Sequence, residues 1–398
     1  MDEVFKGSFT QQEPIPEAGI EAAVTVMRHG RLHRYNTAGE EIAETVLLEQ
    51  EFAVYVGAKY CLAVASGGYA MATALRAVGV KPTDRVLTNA FTLAPVPGAI
   101  AAVGAVPVFV GVTRSLVLDL EDLGAKADQS SVLLLSHMRG HLCEMERLME
   151  ICDSAGITVI EDCAHTMGAA WNGKPSGTWG KVGCYSCQTY KHMNAGEGGL
   201  FVTDDPEVAA RAIMYSGSYM LYERHLAGPP KETFETIRYE TPNISGRMDN
   251  LRAAILRPQL ADLATQCARW NKRYRALETG LTGTAGLTTI DRPEEETFVG
   301  SSIQFLLEGW DAADVQDLLA RSAARGVELK WFGNAEPVGF TSRYDSWRYV
   351  EAPEMPESDE VLAGIIDMRV PLTFSLEDCA LIARIIREEV GRIYQSAA

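Results

Sequence analysis

Lys191 is the residue in this chain whose surroundings most clearly suit covalent chemistry. It follows the apolar segment CYSCQ and precedes a glycine-rich turn, NAGEGG. Low-dielectric surroundings lower the pKa of a lysine, which makes its amine a nucleophile towards carbonyl carbon and able to form a Schiff base. The alternative is an ordinary solvated lysine.

A second chemical segment is Glu161-Asp162, with His165 three residues further on. It ends the strongly apolar run ITVI, so a carboxylate would stand at a strand terminus beside an imidazole that can form hydrogen bonds. The alternative is that the aspartate caps the N-terminus of a helix.

Two further segments lie between an apolar strand and the next helix. In Ser66-Gly67-Gly68, backbone N–H groups free of side-chain obstruction could hold a phosphate at a helix N-terminus, although such glycines also make simple tight turns. In Asn89-Ala90-Phe91-Thr92, Phe91 is a core residue unless a planar cofactor lies above it.

One ligand would explain all four segments. Pyridoxal 5′-phosphate (PLP) needs a lysine for its aldehyde, an anion for its pyridinium nitrogen, donors for its phosphate and a flat partner for its ring. No metal is needed for this chemistry, and we expect none.

These segments must be brought together by an α/β fold. Short apolar strands alternate with helices that end at glycine over most of the first two thirds of the chain, which predicts a mainly parallel, mixed sheet with helices on both sides. Ligands of such sheets bind beyond the carboxyl ends of the strands. All four segments are expected at that edge.

The alternation of short apolar strands and helices changes near Pro258. We therefore predict a large α/β domain over 1–258 and a smaller α+β domain over 259–398. The smaller domain should begin with a long polar helix over 261–281. It should end with a helix that Ser375 and Asp378 cap, and 351–360 should be a surface loop.

Residues 86–113 carry no charge, which by length alone would allow a membrane span. Prolines and glycines interrupt this stretch, so no single spanning helix fits. It is better explained as a strand, a short helix starting at Pro95 and a second strand, buried on both faces.

The motif pair EDCAH and YSCQTYKHMNAGEGG places Lys191 29 residues after Asp162. Together with YVGAKYCLAVASGG, the FT pair of NAFTLAP, SHMRGHLCEM and SGRMDNLRAAILRPQL, it closely resembles the DegT/StrS family of fold type I PLP-dependent aminotransferases. That family includes sugar aminotransferases and aminohydroxybenzoate synthases. The resemblance covers most of residues 30–260 and implies the fold type I architecture.

The resemblance also implies roles at the cofactor. Lys191 would form the internal aldimine and then move a proton between substrate Cα and cofactor C4′. Asp162 would keep the pyridine nitrogen protonated, Phe91 would stack on the ring, and His165 would pack beside the cofactor.

The same resemblance places Gly67, Gly68 and Ser186 at the cofactor phosphate. It implies a homodimer in which each site is shared between two subunits. The residue that reaches the neighbouring subunit's phosphate is either Asn243 or Ser245, and the sequence leaves that choice open.

The segment KWFGNAEPVGFTSRYDSWRY (330–349) replaces the family's usual substrate segment, which argues against a nucleotide-sugar substrate. Arg247, Arg343 and Arg348 are candidates for holding a substrate carboxylate, because a guanidinium group can bind it through two parallel hydrogen bonds.

Two other groupings have less to support them. Cys184 and Cys187 form a CxxC, but residues three apart on a strand face opposite sides, and no second pair lies at zinc-site spacing. His137 and His141 flank Arg139. The three could bind a substrate anion, or the histidines could be hydrogen-bonded core or loop groups.

The leading hypothesis is an aminotransferase that carries nitrogen from glutamate or glutamine to a ketone of a sugar, cyclitol or small biosynthetic intermediate. The alternatives are a PLP-dependent dehydratase or eliminase of the aminohydroxybenzoate synthase type, and a PLP-binding regulator without turnover. A net charge of −17, with 36 basic and 53 acidic residues, argues against nucleic acid or a membrane as partner. The polar N-terminus and eight scattered cysteines predict a cytoplasmic protein.

Overall fold

A seven-stranded sheet organises the larger part of the molecule. The computed structural model describes residues 3–397. Its strands, in chain order, are β1 Tyr60–Val64, β2 Arg85–Asn89, β3 Val106–Val110, β4 Val132–Ser136, β5 Thr158–Asp162, β6 Ala170–Trp171, β7 Lys174–Pro175, β8 Val182–Ser186, β9 Gly199–Thr203, β10 Thr288–Thr289, β11 Glu296–Thr297, β12 Ser302–Leu306, β13 Lys330–Trp331 and β14 Ile365–Arg369.

Helices cover both faces of the large sheet and flank the smaller one. They are α1 Glu17–His29, α2 Glu44–Val56, α3 Gly67–Ala77, α4 Pro95–Ala102, α5 Leu120–Ala125, α6 Met145–Ala155, α7 Pro206–Ser216, α8 Phe234–Glu240, α9 Asn250–Leu281, α10 Ala312–Ala324, α11 Pro356–Gly364 and α12 Leu376–Ala397.

The large sheet has the strand order β1-β9-β8-β5-β4-β2-β3. The run from β3 to β8 is parallel, and β9 is antiparallel to both of its neighbours. The expected mainly parallel, mixed α/β sheet is confirmed.

Side chains that follow one another along a strand point to opposite faces of the sheet, and they fill two separate cores. Leu133 and Leu135 pack with α2, α5, α6 and α9 on one face, whereas Leu134 packs with α3, α4, α7 and α8 on the other. Cys184 and Cys187 likewise belong to opposite cores, so they do not form a chelating pair. All eight cysteines are free and buried.

The uncharged stretch folds as β2, α4 and β3, with β2 and β3 paired in parallel. Helix α4 begins with Pro95, where the missing N–H costs nothing because it has no partner in a first turn. Within residues 3–397, none of the helices combines the length and apolarity needed to cross a bilayer.

Helix α9 corrects one expectation. We predicted a helix from residue 261, but α9 starts at Asn250 and continues through Pro258. Its buried Leu256, Leu260 and Leu263 lie in the core of the large sheet, and this packing outweighs the roughly 3 kcal/mol that an internal proline costs. The division into domains at 258 stays a prediction.

The smaller sheet has the antiparallel order β10-β12-β14-β13. Phe5 and Phe9, from the start of the chain, pack edge-on against Phe374 in its core. The predicted capping box is present: the Ser375 N–H donates to Asp378 Oδ2 at 2.9 Å, and the Asp378 N–H donates to Ser375 Oγ at 3.0 Å. The loop predicted over 351–360 is wrong in its second half, since α11 begins at Pro356.

Candidate active site

The carboxyl ends of the parallel strands meet at one cavity of ≈ 580 Å³. Ser136 and Asp162 end β4 and β5 in register, and Ser186 ends β8. Six of the residues expected at the cofactor line this cavity: Gly67, Gly68, Asp162, His165, Ser186 and Lys191. Parallel topology is what brings together residues so distant in the chain.

Lys191 is half-buried in the lining of the cavity. Its Nζ lies 2.9 Å from Nε2 of His165. Burial, together with the charge of Arg139, lowers the pKa of Lys191 to about 7, and the charge of Asp162 opposes this shift. Near neutral pH a large fraction of this amine is therefore unprotonated and nucleophilic.

Asp162 is held by two hydrogen bonds in a nearly closed environment, with 8% of its surface exposed. Ser136 Oγ donates to Oδ2 and the Ala164 N–H donates to Oδ1, each at 3.1 Å. Burial raises the pKa of Asp162, and the charge of Lys191 counteracts this. The result is a carboxylate fixed in orientation at the cavity wall.

The N-terminus of α3 also lines the cavity. Ser66 caps it by accepting from the Tyr69 N–H at 3.1 Å, and Gly67 begins the helix. A Cβ on Gly67 would lie 2.9 Å from the Cβ of Ser186, so only glycine allows this approach. The first N–H groups of the helix and the Ser186 hydroxyl fit a phosphate dianion here.

Phe91 does not lie in the cavity, which corrects its expected stacking role. Its side chain is 1% exposed and packs edge-on against Phe332, with ring centroids 5.0 Å apart. Leu93, two residues on, lines the cavity instead. Phe91 is a core residue in this structure, as the alternative interpretation has it.

Asn243 and Ser245 lie on the surface, outside the cavity lining. Ser245 Oγ is 3.0 Å from the hydroxyl of Tyr219. Both residues are thus available to another subunit, and which of them reaches a phosphate stays a prediction.

The three arginines expected to hold a carboxylate also lie outside this cavity. Arg247 donates to the Gly217 carbonyl at 2.6 Å. Arg343 is paired with Asp345 and Asp359, and Arg348 is exposed. Their assignment as substrate residues is not supported.

Two other arginines line the cavity, Arg139 and Arg369. Sequence reasoning grouped Arg139 with two histidines but missed Arg369, which ends β14 far along the chain. In the structure, Arg139 also stands out by its backbone conformation. Its φ of +55° is left-handed, which is strained for a bulky side chain and is typical of functional sites.

The neighbouring histidines are core groups. His137 Nε2 lies 2.9 Å from Glu161 Oε2, and His141 Nε2 lies 2.8 Å from Gln304 Oε1. Glu161 also accepts the backbone N–H groups of residues 177, 179 and 180. His137, Glu161 and Cys163 come close enough for a metal ion, but these hydrogen bonds already use the carboxylate oxygens.

The family model described as the DegT/DnrJ/EryC1/StrS aminotransferase family matches residues 16–387. The chain belongs to this family. The expectation of a PLP-dependent aminotransferase is thereby confirmed at the level of the family, and the cofactor is PLP. The cavity fits that cofactor, because a lysine, a fixed carboxylate and a phosphate cradle all line it.

Individual relatives of this DegT-family chain carry different names. A pleiotropic regulatory protein of Geobacillus stearothermophilus is 32% identical over 57% of this chain and 58% of its own length. A dTDP-3-amino-3,4,6-trideoxy-alpha-D-glucose transaminase of Streptomyces venezuelae is 34% identical over 62% and 61%. The chain thus spans about three fifths of the length of these relatives.

The crystal structure of 3-amino-5-hydroxybenzoic acid (AHBA) synthase matches over 98% of this chain and 100% of that one, with a TM-score of 0.81 and 26% identity. The expected fold type I architecture, with its smaller α+β part, is confirmed by this match.

Proposed function

We propose that this chain is an aminotransferase that takes an amino group from glutamate or glutamine and delivers it to the ketone of a sugar, a cyclitol or a small biosynthetic intermediate. The observation that carries the proposal is the Lys191 amine, whose pKa is lowered to about 7 and which lines one cavity together with Asp162, Gly67 and Ser186.

Bound PLP supplies an electrophilic aldehyde and an electron-withdrawing ring. The N–H groups at Gly67 and Gly68 and the hydroxyl of Ser186 hold the phosphate. Asp162, fixed by Ser136 and Ala164, keeps a proton on the pyridine nitrogen. Lys191 would be the amine that reacts with the cofactor's aldehyde.

Lys191 then acts as the base at the substrate. Its Nζ would take the proton from the substrate carbon that bears the amino group and return it to C4′ of the cofactor. His165, 2.9 Å from that Nζ, holds the amine in place, and burial lowers the pKa of His165 well below its usual value so that the imidazole is neutral. A neutral partner leaves the lysine free to accept a proton.

A shared homodimeric site is part of the proposal. Exposed apolar side chains cluster in the same segment as Asn243 and Ser245, which supports burial of that segment against a second copy. They are Tyr219, Met220, Leu226, Tyr239 and Ile244. The eight free thiols support a reducing, cytoplasmic location.

The test is a single half-reaction. Glutamate or glutamine added to the PLP enzyme should convert the cofactor to its pyridoxamine form with one oxo acid released per site. Loss of water or ammonia from the amino compound without pyridoxamine formation would favour the dehydratase or eliminase. Retention of the PLP spectrum with every donor would favour the regulator.

A further inference from the structure

The cavity wall away from the phosphate cradle carries more positive than negative charge. Arg139 and Arg369 line it, and Lys330 lies behind them. Asp367 is the carboxylate that faces all three, since Lys330 and Asp367 are opposite one another on β13 and β14 and Arg369 follows two residues later on the same face. Asp367 is thus shared among three cations, while Glu328 acts on Lys330.

Arg139 is buried without a full set of partners. Its side chain is 5% exposed, and neither Nε nor Nη2 makes a hydrogen bond within the described residues 3–397. Nη2 lies 2.8 Å from Asp367 Oδ2, but the alignment is not that of a hydrogen bond. Asp367 Oδ1 already accepts from Gln304 Nε2 at 2.8 Å. Unpaired donors on a buried guanidinium are rare unless a ligand completes them.

The flat face of the Arg369 guanidinium group packs against two aromatic rings, so the N–H groups at its edge are left to bind a ligand. Its guanidinium carbon lies 3.7 Å from the ring centroid of Tyr190 and 4.9 Å from that of Phe340. Over the described part of the chain, its side chain donates no hydrogen bond. Lys330, whose pKa burial lowers to about 8, has no hydrogen-bond partner for Nζ either and lies 5.7 Å from the Phe340 ring centroid.

We propose that Arg139 and Arg369 form a carboxylate site used by both substrates in turn, and that the acceptor is therefore an oxo acid. This inference rests on the proposed function, because donor and acceptor of an aminotransferase occupy the same cavity successively. The donor's α-carboxylate can pair with the two guanidinium groups. A neutral ketone would leave Arg139 with two buried donors that make no hydrogen bond and Arg369 without a carboxylate, which a site built for an anion strongly disfavours.

Two pairs of compounds, each an acid and its amide, test the effect of the negative charge at nearly constant shape. For the reaction, 3-oxocyclohexanecarboxylate and its primary amide are offered to the enzyme in its pyridoxamine form. For binding alone, cyclohexanecarboxylate and cyclohexanecarboxamide are titrated into the PLP enzyme by calorimetry, which needs no turnover. The acid should be preferred about 10- to 100-fold in each pair.

The variants are Arg139→Gln and Arg369→Gln, with Arg387→Gln on the exposed face of α12 as control. Each cavity variant should reduce the preference for the acid at least about tenfold while the amide is little changed, and Arg387→Gln should keep it. Equal binding of acid and amide, or a preference that survives in both cavity variants, would overturn the carboxylate site. A faster reaction of the amide would overturn the oxo-acid acceptor.

The reaction experiment and the binding experiment also distinguish a failure of this inference from a failure of the proposed function. Arginine-dependent acid binding in an enzyme that transaminates nothing would reject the aminotransferase and the acceptor, but keep the carboxylate site. Transamination with no acid preference in either arm would keep the function and reject the carboxylate site.

Discussion

The Nζ of Lys191 and the Nε2 of His165 lie 2.9 Å apart inside the cavity. Burial is the main cause of the low pKa of both groups, and the charge of Arg139 lowers each of them further. The pair is thus a neutral imidazole beside an amine that changes protonation near neutrality. Separate substitutions can tell which member reacts and which one positions.

Replacing Lys191 with alanine should abolish covalent attachment of the cofactor. Borohydride should then fix no PLP to the protein, and turnover should fall roughly 10²–10⁴-fold because both nucleophile and base are lost. Mass spectrometry of the reduced protein measures the attachment. A reduced adduct that persists elsewhere in the cavity would contradict the assignment.

His165→Asn should leave the attachment intact and slow turnover. Without the imidazole the amine is less well placed, and misplacement of a reacting group costs up to about 10²-fold. The check is kcat together with the borohydride assay on the same preparation. If attachment disappears along with activity, His165 does more than position the amine.

The reactivity of Lys191 in the PLP-free protein should rise with pH around a midpoint near 7. The free base is the nucleophile, so a pKa lowered to about 7 makes the amine reactive at a pH where an ordinary lysine is still protonated. Arg139→Gln removes a neighbouring positive charge and should move the midpoint upwards. Competitive acetylation, read peptide by peptide, gives the midpoint, with exposed Lys6 as the internal reference. A midpoint near 10 would contradict the burial argument.

Asp162→Asn should lower kcat by about 10²–10³-fold, the usual cost of removing one preorganised charged group. The amide oxygen can still accept from the Ala164 N–H, and the amide nitrogen can donate to the Ser136 hydroxyl oxygen, so folding should be kept. Ser136→Ala removes one of those donors without removing the charge and should have a much smaller effect. Equal losses in the two variants would show that orientation matters more than charge.

Residues that end parallel strands could be predicted to meet, because their position follows from strand order alone. Lys191, Asp162 and Ser186 belong to this group. Arg369 could not be predicted in this way. It ends a strand of the smaller sheet, and no local pattern links it to the carboxyl edge of the larger one.

The misplaced residues share a physical cause, which is tertiary packing that local sequence does not encode. Phe91 turns into the core because Phe332, from another part of the chain, packs against its ring. Helix α9 continues through Pro258 because its leucines are buried. In both places local propensity is a weaker determinant than burial.

Gly67→Ala should weaken PLP binding far more than Gly68→Ala. A Cβ at position 67 would lie 2.9 Å from the Ser186 Cβ and force α3 and β8 apart at the phosphate cradle, whereas a Cβ at position 68 meets nothing closer than Ser66 Oγ at 3.9 Å. Both variants add the same methyl group in the first turn of the same helix, so propensity is matched. Equilibrium titration of the PLP-free proteins with PLP measures the two dissociation constants. We expect them to differ at least about tenfold, which corresponds to the loss of a single hydrogen bond to a charged group. Because backbone N–H groups hold the phosphate, equal affinities in the two variants would place the cradle elsewhere in the cavity.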